Sequence, residues 1–260
     1  MTNPLLQIDD IHVHYGRLAA VRGVSIRVEP GEIVCVVGPN GAGKSTTLLA
    51  TAGVLSPTRG AIRIGDVPIA GMAPEKVARL GLSMVPEGRH IFGSLTVEEN
   101  LRIGTYQRTN RRDVELELKR ILKEFPVLAE RRDTNAAMLS GGEQQQLAIG
   151  RALLTGAKIL LVDEPSLGLA PMMIERVYDI LTGLRDARGM TLLIVEESAE
   201  RALDVADRIY VMRRGLVELA GTSSELEQGA RLQQAYFGFG GEQEDTRVRI
   251  GDDSGAANFS

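Results

Sequence analysis

The segment Gly38-Pro39-Asn40-Gly41-Ala42-Gly43-Lys44-Ser45-Thr46 gathers glycines, a lysine and two hydroxyls into one short stretch. Glycines let a backbone wrap closely, so that successive N–H groups point at phosphate oxygens. A helix starting behind such a loop adds the partial positive charge of its N-terminus. The spacing is that of the phosphate-binding loop G-x-x-x-x-G-K-[ST]. In this pattern Lys44 is expected to reach the β- and γ-phosphates of a nucleotide, and the Ser45 hydroxyl to ligate Mg2+.

A second pair of groups carries chemistry further along. The run Ile159-Leu160-Leu161-Val162 ends in Asp163-Glu164. Asp163 is expected to hold the magnesium, directly or through water. Glu164 is placed to polarise an attacking water as a general base. An apolar run ending in acids is often no more than a strand end; combined with the phosphate loop it points to hydrolysis.

The third feature is Leu139-Ser140-Gly141-Gly142-Glu143-Gln144. Ser140 and Glu143 have capping-box spacing, and the glycines leave backbone N–H groups unshielded at a helix start. That is a second potential anion site, although a well-capped helix alone explains it equally well. One nucleotide could not easily fill both sites in one chain, because a whole helical segment separates them.

The elements that must position these groups are legible in outline. Ile33–Val37, Ile159–Val162 and Thr191–Val195 are short and apolar on both faces, as central parallel strands are. Open α/β sheets place ligands beyond the carboxyl ends of such strands. The phosphate loop follows the first, and a helix from Lys44 to Ala52 is expected behind it. Leu6–Val13, Val24–Val28 and Ala61–Ile64 alternate apolar and polar residues, which predicts half-exposed antiparallel strands. Arg208–Met212 and Leu216–Ala220 flank Arg213-Arg214-Gly215 and read as a hairpin. Between about 86 and 150 the pattern turns helical. Val114, Leu118, Ile121, Leu122 and Phe125 share a helical stripe that Pro126 stops, and Thr96-Val97-Glu98-Glu99 has capping-box spacing. The fold expected is an α/β P-loop core with an N-terminal antiparallel β-subdomain and an inserted helical subdomain. One domain is expected to span 5–240, with a disordered tail over 241–260.

Composition narrows the function. A formal net charge of -4 gives no basic footprint for nucleic acid. The single cysteine, Cys35, excludes a disulfide framework and reads as a small buried hydrophobe. His12, His14 and His90 show no metal-ligand clustering. No leader pattern and no apolar run of the roughly 20 residues a span needs is visible, so a cytoplasmic protein is expected, held at a membrane by a partner if it works there.

Taken together these motifs resemble the ATP-binding cassette family, whose signature LSGGQ is followed by a helix carrying Arg-Ala-Leu, as in Arg151-Ala152-Leu153. The match runs over nearly the whole chain to about 240. Within the family it is to the smaller ATPase subunit of branched-chain amino acid importers, the LivF type. Val85-Pro86-Glu87-Gly88-Arg89, Thr96–Leu101, Asp163–Pro171 and the ending Ala235-Tyr236-Phe237-Gly238 carry that finer likeness. The resemblance implies ATP and Mg2+ as ligands, with Gly38 to Thr46 around the phosphates and Tyr15 stacked on adenine. It implies head-to-tail pairing with a second cassette, a different subunit or another copy of this chain. Ser140, Gly141 and Gly142 would then contact the γ-phosphate held by that partner. Two transmembrane permease subunits would dock near Leu95 and the Val85–Gly93 loop, and a separate binding protein would deliver the cargo. The chain is then expected at the inner face of the cell membrane.

Two positions depart from the family's usual pattern. Glu87 stands where most cassettes have a magnesium-binding Gln, and a carboxylate can serve as a hard ligand there. Glu197 stands where cassettes usually place a histidine that donates to the γ-phosphate, with Glu196 as the alternative if the register slips by one. An ionised Glu offers no donor. Two like charges about 4 Å apart repel by about 4 kcal/mol at an effective dielectric near 20. Slow turnover on this chain's own loop is therefore expected, with a nucleotide-binding regulator without turnover as the alternative to an ATPase subunit that drives import. Import of urea or amides rather than amino acids fits the sequence equally. Chromosome-type and two-copy translation cassettes are excluded, since the gap from Thr46 to Leu139 holds no sustained heptads and only one copy is present.

Overall fold

The computed structural model describes residues 5–227. The anticipated tail over 241–260, the boundary near 240 and the Ala235–Gly238 segment lie outside the described residues.

The chain opens with antiparallel strands β1 (Leu6–Tyr15) and β2 (Leu18–Val28), then β3 (Ile33–Val37) and helix α1 (Lys44–Thr51). Strands β4 (Arg59–Ile64) and β5 (Val67–Pro68), helix α2 (Pro74–Arg79) and strand β6 (Leu82–Val85) follow. Helices α3 (Val97–Ile103), α4 (Arg111–Glu124), α5 (Pro126–Glu130) and α6 (Gly141–Leu153) intervene before β7 (Ile159–Asp163). The chain then runs through α7 (Pro171–Arg188), β8 (Thr191–Glu196), α8 (Ala199–Val205), β9 (Arg208–Arg213), β10 (Leu216–Thr222) and α9 (Ser223–Glu227).

Two sheets result. β2-β1-β4-β5 is antiparallel, and β10-β9-β3-β8-β7-β6 is parallel except for β10 at its edge. β3 is apolar at every position because both its faces are covered. Its odd members, Ile33, Cys35 and Val37, pack with the helices on one side; Val34 and Val36 pack with α1 and the antiparallel sheet on the other. Leu48 and Ala50 of α1 are buried in that second layer, so the phosphate-loop helix is clamped between sheets. Each fully buried aliphatic side chain there contributes about 1.5–3 kcal/mol.

The helical stripe forms as its spacing predicts: Val114, Leu118 and Ile121 are the buried residues of α4. Pro126 does more than stop that run. It opens α5 as its first residue, where a missing N–H costs nothing. Both capping boxes are present, at Thr96–Glu99 and Ser140–Glu143. The C-terminal hairpin is tighter than Arg213-Arg214-Gly215 implied. Arg213 pairs with Leu216, leaving Arg214 and Gly215 as a two-residue turn with φ of 50° and 79°. Two consecutive left-handed residues are the type I′ geometry that suits strand twist.

Candidate active site

The phosphate loop joins the end of β3 to α1. Gly43 has φ 100°, and a Cβ there would sit 2.6 Å from the Ala20 carbonyl oxygen. At Gly38 a Cβ would collide with the Met212 carbonyl. Both positions admit only glycine because neighbouring strands press against the loop. Lys44, 4% exposed, folds back: its Nζ donates to the carbonyls of Gly38 at 2.8 Å and Pro39 at 3.3 Å. Ala42 is buried and its carbonyl accepts from the Gly215 amide at 2.9 Å, fixing the loop to the C-terminal hairpin.

The paired carboxylates sit at the end of β7. Ser45 Oγ donates to Asp163 Oδ1 at 2.9 Å, and Glu164 Oε1 lies 3.4 Å from Lys44 Nζ. Burial pushes the Asp163 carboxyl up to about 6; the Ser45 hydrogen bond opposes this, and the charges of Glu164 and Glu87 add to it. Glu164 is raised as well, first by burial, against the opposing pull of Lys44. Glu164 has φ 45°, a left-handed backbone held by its amide donating to the Val195 carbonyl at 3.0 Å.

A cavity of about 440 Å3 opens over these groups, lined by Asn40 to Thr46, Glu87, Glu164, Leu167 and Glu197. The hydroxyl and carboxylate pair fits a hard divalent cation, which would offset the cost of the buried Asp163 charge. Among the described residues no three His, Cys, Asp or Glu side chains converge into a self-contained cage.

The two glutamates at the end of β8 face different surroundings. Glu197 lines the phosphate cavity, whereas Glu196 is the last residue of β8, 1% exposed, with its carboxylate on the helical side of the sheet. Tyr15 ends β1, 48% exposed, and does not line the cavity. Ser140, Gly141 and Gly142 begin α6 and are likewise not part of its wall. His12 and His14 meet Asp10 and Thr58 singly.

Leu167 in the cavity wall was given no role by sequence reasoning. Nor was Arg89, whose guanidinium lies beside Gly141 and donates to Gln144 Oε1 at 3.3 Å and to the Leu167 carbonyl at 3.4 Å. The Arg89 backbone, with φ 67°, gives no sequence signal because the residue is not glycine.

A phosphate loop clamped between two sheets, with two carboxylates at the end of a parallel strand one strand removed, defines a P-loop nucleotide-binding protein with hydrolytic machinery. Its family follows from known proteins. The family model described as ABC transporter matches residues 21–167. BraG of Pseudomonas aeruginosa, a high-affinity branched-chain amino acid transport ATP-binding protein, is 42% identical over 90% of this chain and 100% of its own. A probable branched-chain amino acid transport ATP-binding protein LivF of Archaeoglobus fulgidus is 33% identical over 90% of this chain and 99% of its own. Among solved structures, the ADP conformation of MJ1267, an ATP-binding cassette of an ABC transporter, superposes with a TM-score of 0.82 at 27% identity, over 91% of this chain and 100% of that one. The chain belongs to the ABC transporter family, as one of its ATP-binding ATPase subunits.

Proposed function

We propose that this chain hydrolyses Mg·ATP on its own phosphate loop and drives an importer of branched-chain amino acids from the inner face of the cell membrane. The observation that carries the catalytic part is the convergence of Lys44, Ser45 and Glu164 on one cavity, with Asp163 hydrogen-bonded to Ser45 behind its wall. Magnesium, held by Ser45 and Asp163 with Glu87 in the same wall, would neutralise charge on the β- and γ-phosphates. Lys44 exchanges the Gly38 and Pro39 carbonyls for phosphate oxygens. Glu164 accepts a proton from the attacking water as the water oxygen bonds to the γ-phosphorus and the β–γ bridging bond breaks. Its carboxyl is raised by burial, toward the basicity that proton transfer needs.

The position of Ser140–Gly142 outside the cavity supports their service to a second cassette paired head to tail. MJ0796, a cassette 23% identical, has been solved as a dimer. Glu197 supplies an acceptor where a donor is wanted, so turnover on this loop is slower than on a partner with a histidine. Tyr15 stacks on the adenine only if the base reaches past the cavity rim to the end of β1. The cargo reading rests on the names of BraG and LivF.

Single-turnover assays test the chemistry. Glu164→Gln is expected to retain ATP binding and lose at least about 100-fold in rate, in keeping with a general base. Lys44→Ala is expected to lose binding. Retention of turnover in Glu164→Gln would remove the assigned base. For cargo, cells lacking this chain should lose uptake of labelled leucine and regain it on complementation; restored urea or amide uptake instead would overturn the amino-acid assignment.

A further inference from the structure

On the side of β8 away from the phosphates lies a polar cluster that the hydrolytic scheme leaves unused. The buried Glu196 carboxylate accepts from the Tyr178 hydroxyl of α7, from the Glu197 amide at 3.1 Å, and from Arg201 Nη1 of α8 at 3.4 Å. The same Arg201 nitrogen donates to Ser166 Oγ at 2.6 Å. Ser166 is 8% exposed and stands two residues beyond Glu164. A cavity of about 410 Å3 between these groups shares Glu164, Leu167 and Glu197 with the nucleotide cavity. Arg201 therefore joins the loop leaving the proposed base to the corner bearing Glu197.

A carboxylate this deep costs several kcal/mol unless donors surround it, and here three elements supply them. The corner it holds is already tied to Glu164 through the Glu164 amide and the Val195 carbonyl. The Arg201 side chain contacts both sides, Ser166 on one and Glu196 on the other. Its 38% exposure sets it apart from a purely interior packing residue.

We propose that Arg201 is a positioning residue for ATP hydrolysis, which by bridging Ser166 and Glu196 fixes the separation of Glu164 from Glu197 across the γ-phosphate position. The inference rests on the hydrolytic role proposed for Glu164. Arg201 does not line the nucleotide cavity; it acts through the two loops it joins. Ser166 is the partner whose loss should reproduce its effect with the charge left in place.

The test uses the full chain with Mg·ATP. Arg201→Ala is expected to lower kcat about 10- to 100-fold, within the range that misplacement of a reacting group produces, while KM for ATP changes less than about 3-fold. Ser166→Ala should give a smaller loss, and the double variant should be no worse than Arg201→Ala. Arg201→Lys should recover part of kcat. Amide exchange supplies a readout independent of turnover, and also serves if Arg201→Ala folds poorly, since Ser166→Ala can carry it alone. Exchange should quicken in 164–169 and 196–198 and stay unchanged in β3. Additive kinetic losses, a proportional rise in KM, or unchanged exchange in both segments would overturn the bridge. If wild-type chain shows no turnover, the Glu164 reading fails, and exchange alone decides whether Arg201 joins the loops.

Discussion

At the scale of single residues, the site is poised but electrostatically costly without its ligands. Asp163 shows this most clearly, because its carboxyl is buried and raised from 3.8 to about 6. Between these two pH values the folded chain keeps a proton that the unfolded chain has lost. Stability therefore falls as pH rises from about 4 to about 6 and stays low above it, by about 3 kcal/mol for this group. Asp163→Asn removes the penalty and can still accept from Ser45. In chelator-containing buffer the variant should be more stable than wild type at pH 7.5 by up to that amount, and nearly equal to it at pH 4, as read by urea denaturation. The same variant should show a smaller Mg·ATP-induced rise in Tm, since the anionic oxygen that favours the cation is gone. Equal stability at pH 7.5 would mean that burial imposes no cost on the ionised Asp163 carboxylate. Glu197 follows a related rule. Replacing it by Gln removes a negative charge from the γ-phosphate end of the cavity, and ATP should bind several-fold more tightly in a nucleotide titration.

At the scale of elements, helix starts serve two purposes, and substitution can separate them. Thr96 and Ser140 both open capping boxes, on α3 and α6. Losing either hydroxyl costs about 1 kcal/mol. Thr96→Ala should therefore lower Tm and nothing else. Ser140→Ala should lower it comparably and also weaken ATP-dependent association with a second cassette, measured by light scattering with the Glu164→Gln background to trap ATP. Equal association in the two variants would reduce Ser140 to a cap. These elements were readable because local chemistry decides them: the glycine spacing of the phosphate loop, the apolar strands β3, β7 and β8, and both capping boxes all appear in the sequence. The tertiary consequences were not. Nothing in the spacing of Glu196 and Glu197 says which faces the phosphates, because a one-residue step along a strand end reverses the face. Arg201 gave no signal either, since an arginine on a short helix reads as solvated until the fold brings Ser166 and Glu196 beneath it.

At the scale of the whole molecule, no helix among the described residues is long and apolar enough to cross a membrane, so the proposed importer needs its nucleotide chemistry carried to a membrane subunit. A second cavity, of about 540 Å3, lies between the parallel-sheet core and the inserted helices, with Arg79, Ser83, Ile103, Tyr106, Arg108 and Arg151 among its lining. Tyr106 is 92% exposed, and Arg151 Nη1 is buried without a partner among the described residues. With the exposed Tyr106 and three arginines in its lining, the groove fits a segment that brings an apolar face and a carboxylate, the chemistry of a docking element on a membrane subunit of the proposed importer. A continuous set of contacts leads inward. Arg151 stacks over Phe92 and donates to the Arg89 carbonyl at 3.1 Å; Arg89 reaches Gln144 on α6 and the carbonyl of Leu167 in the nucleotide cavity. Contiguity alone does not establish coupling, so docking and transmission need separate variants. Tyr106→Ser should raise the amount of membrane subunit needed for half-maximal stimulation of ATP hydrolysis while leaving the unstimulated rate unchanged. Arg89→Gly removes the side chain at φ 67°, where glycine is relaxed, so folding should be retained. It should leave the half-maximal amount unchanged and lower the stimulated plateau several-fold. Should both variants shift the same parameter, the groove and the Arg89 contacts act as one docking surface, and no relay runs between them.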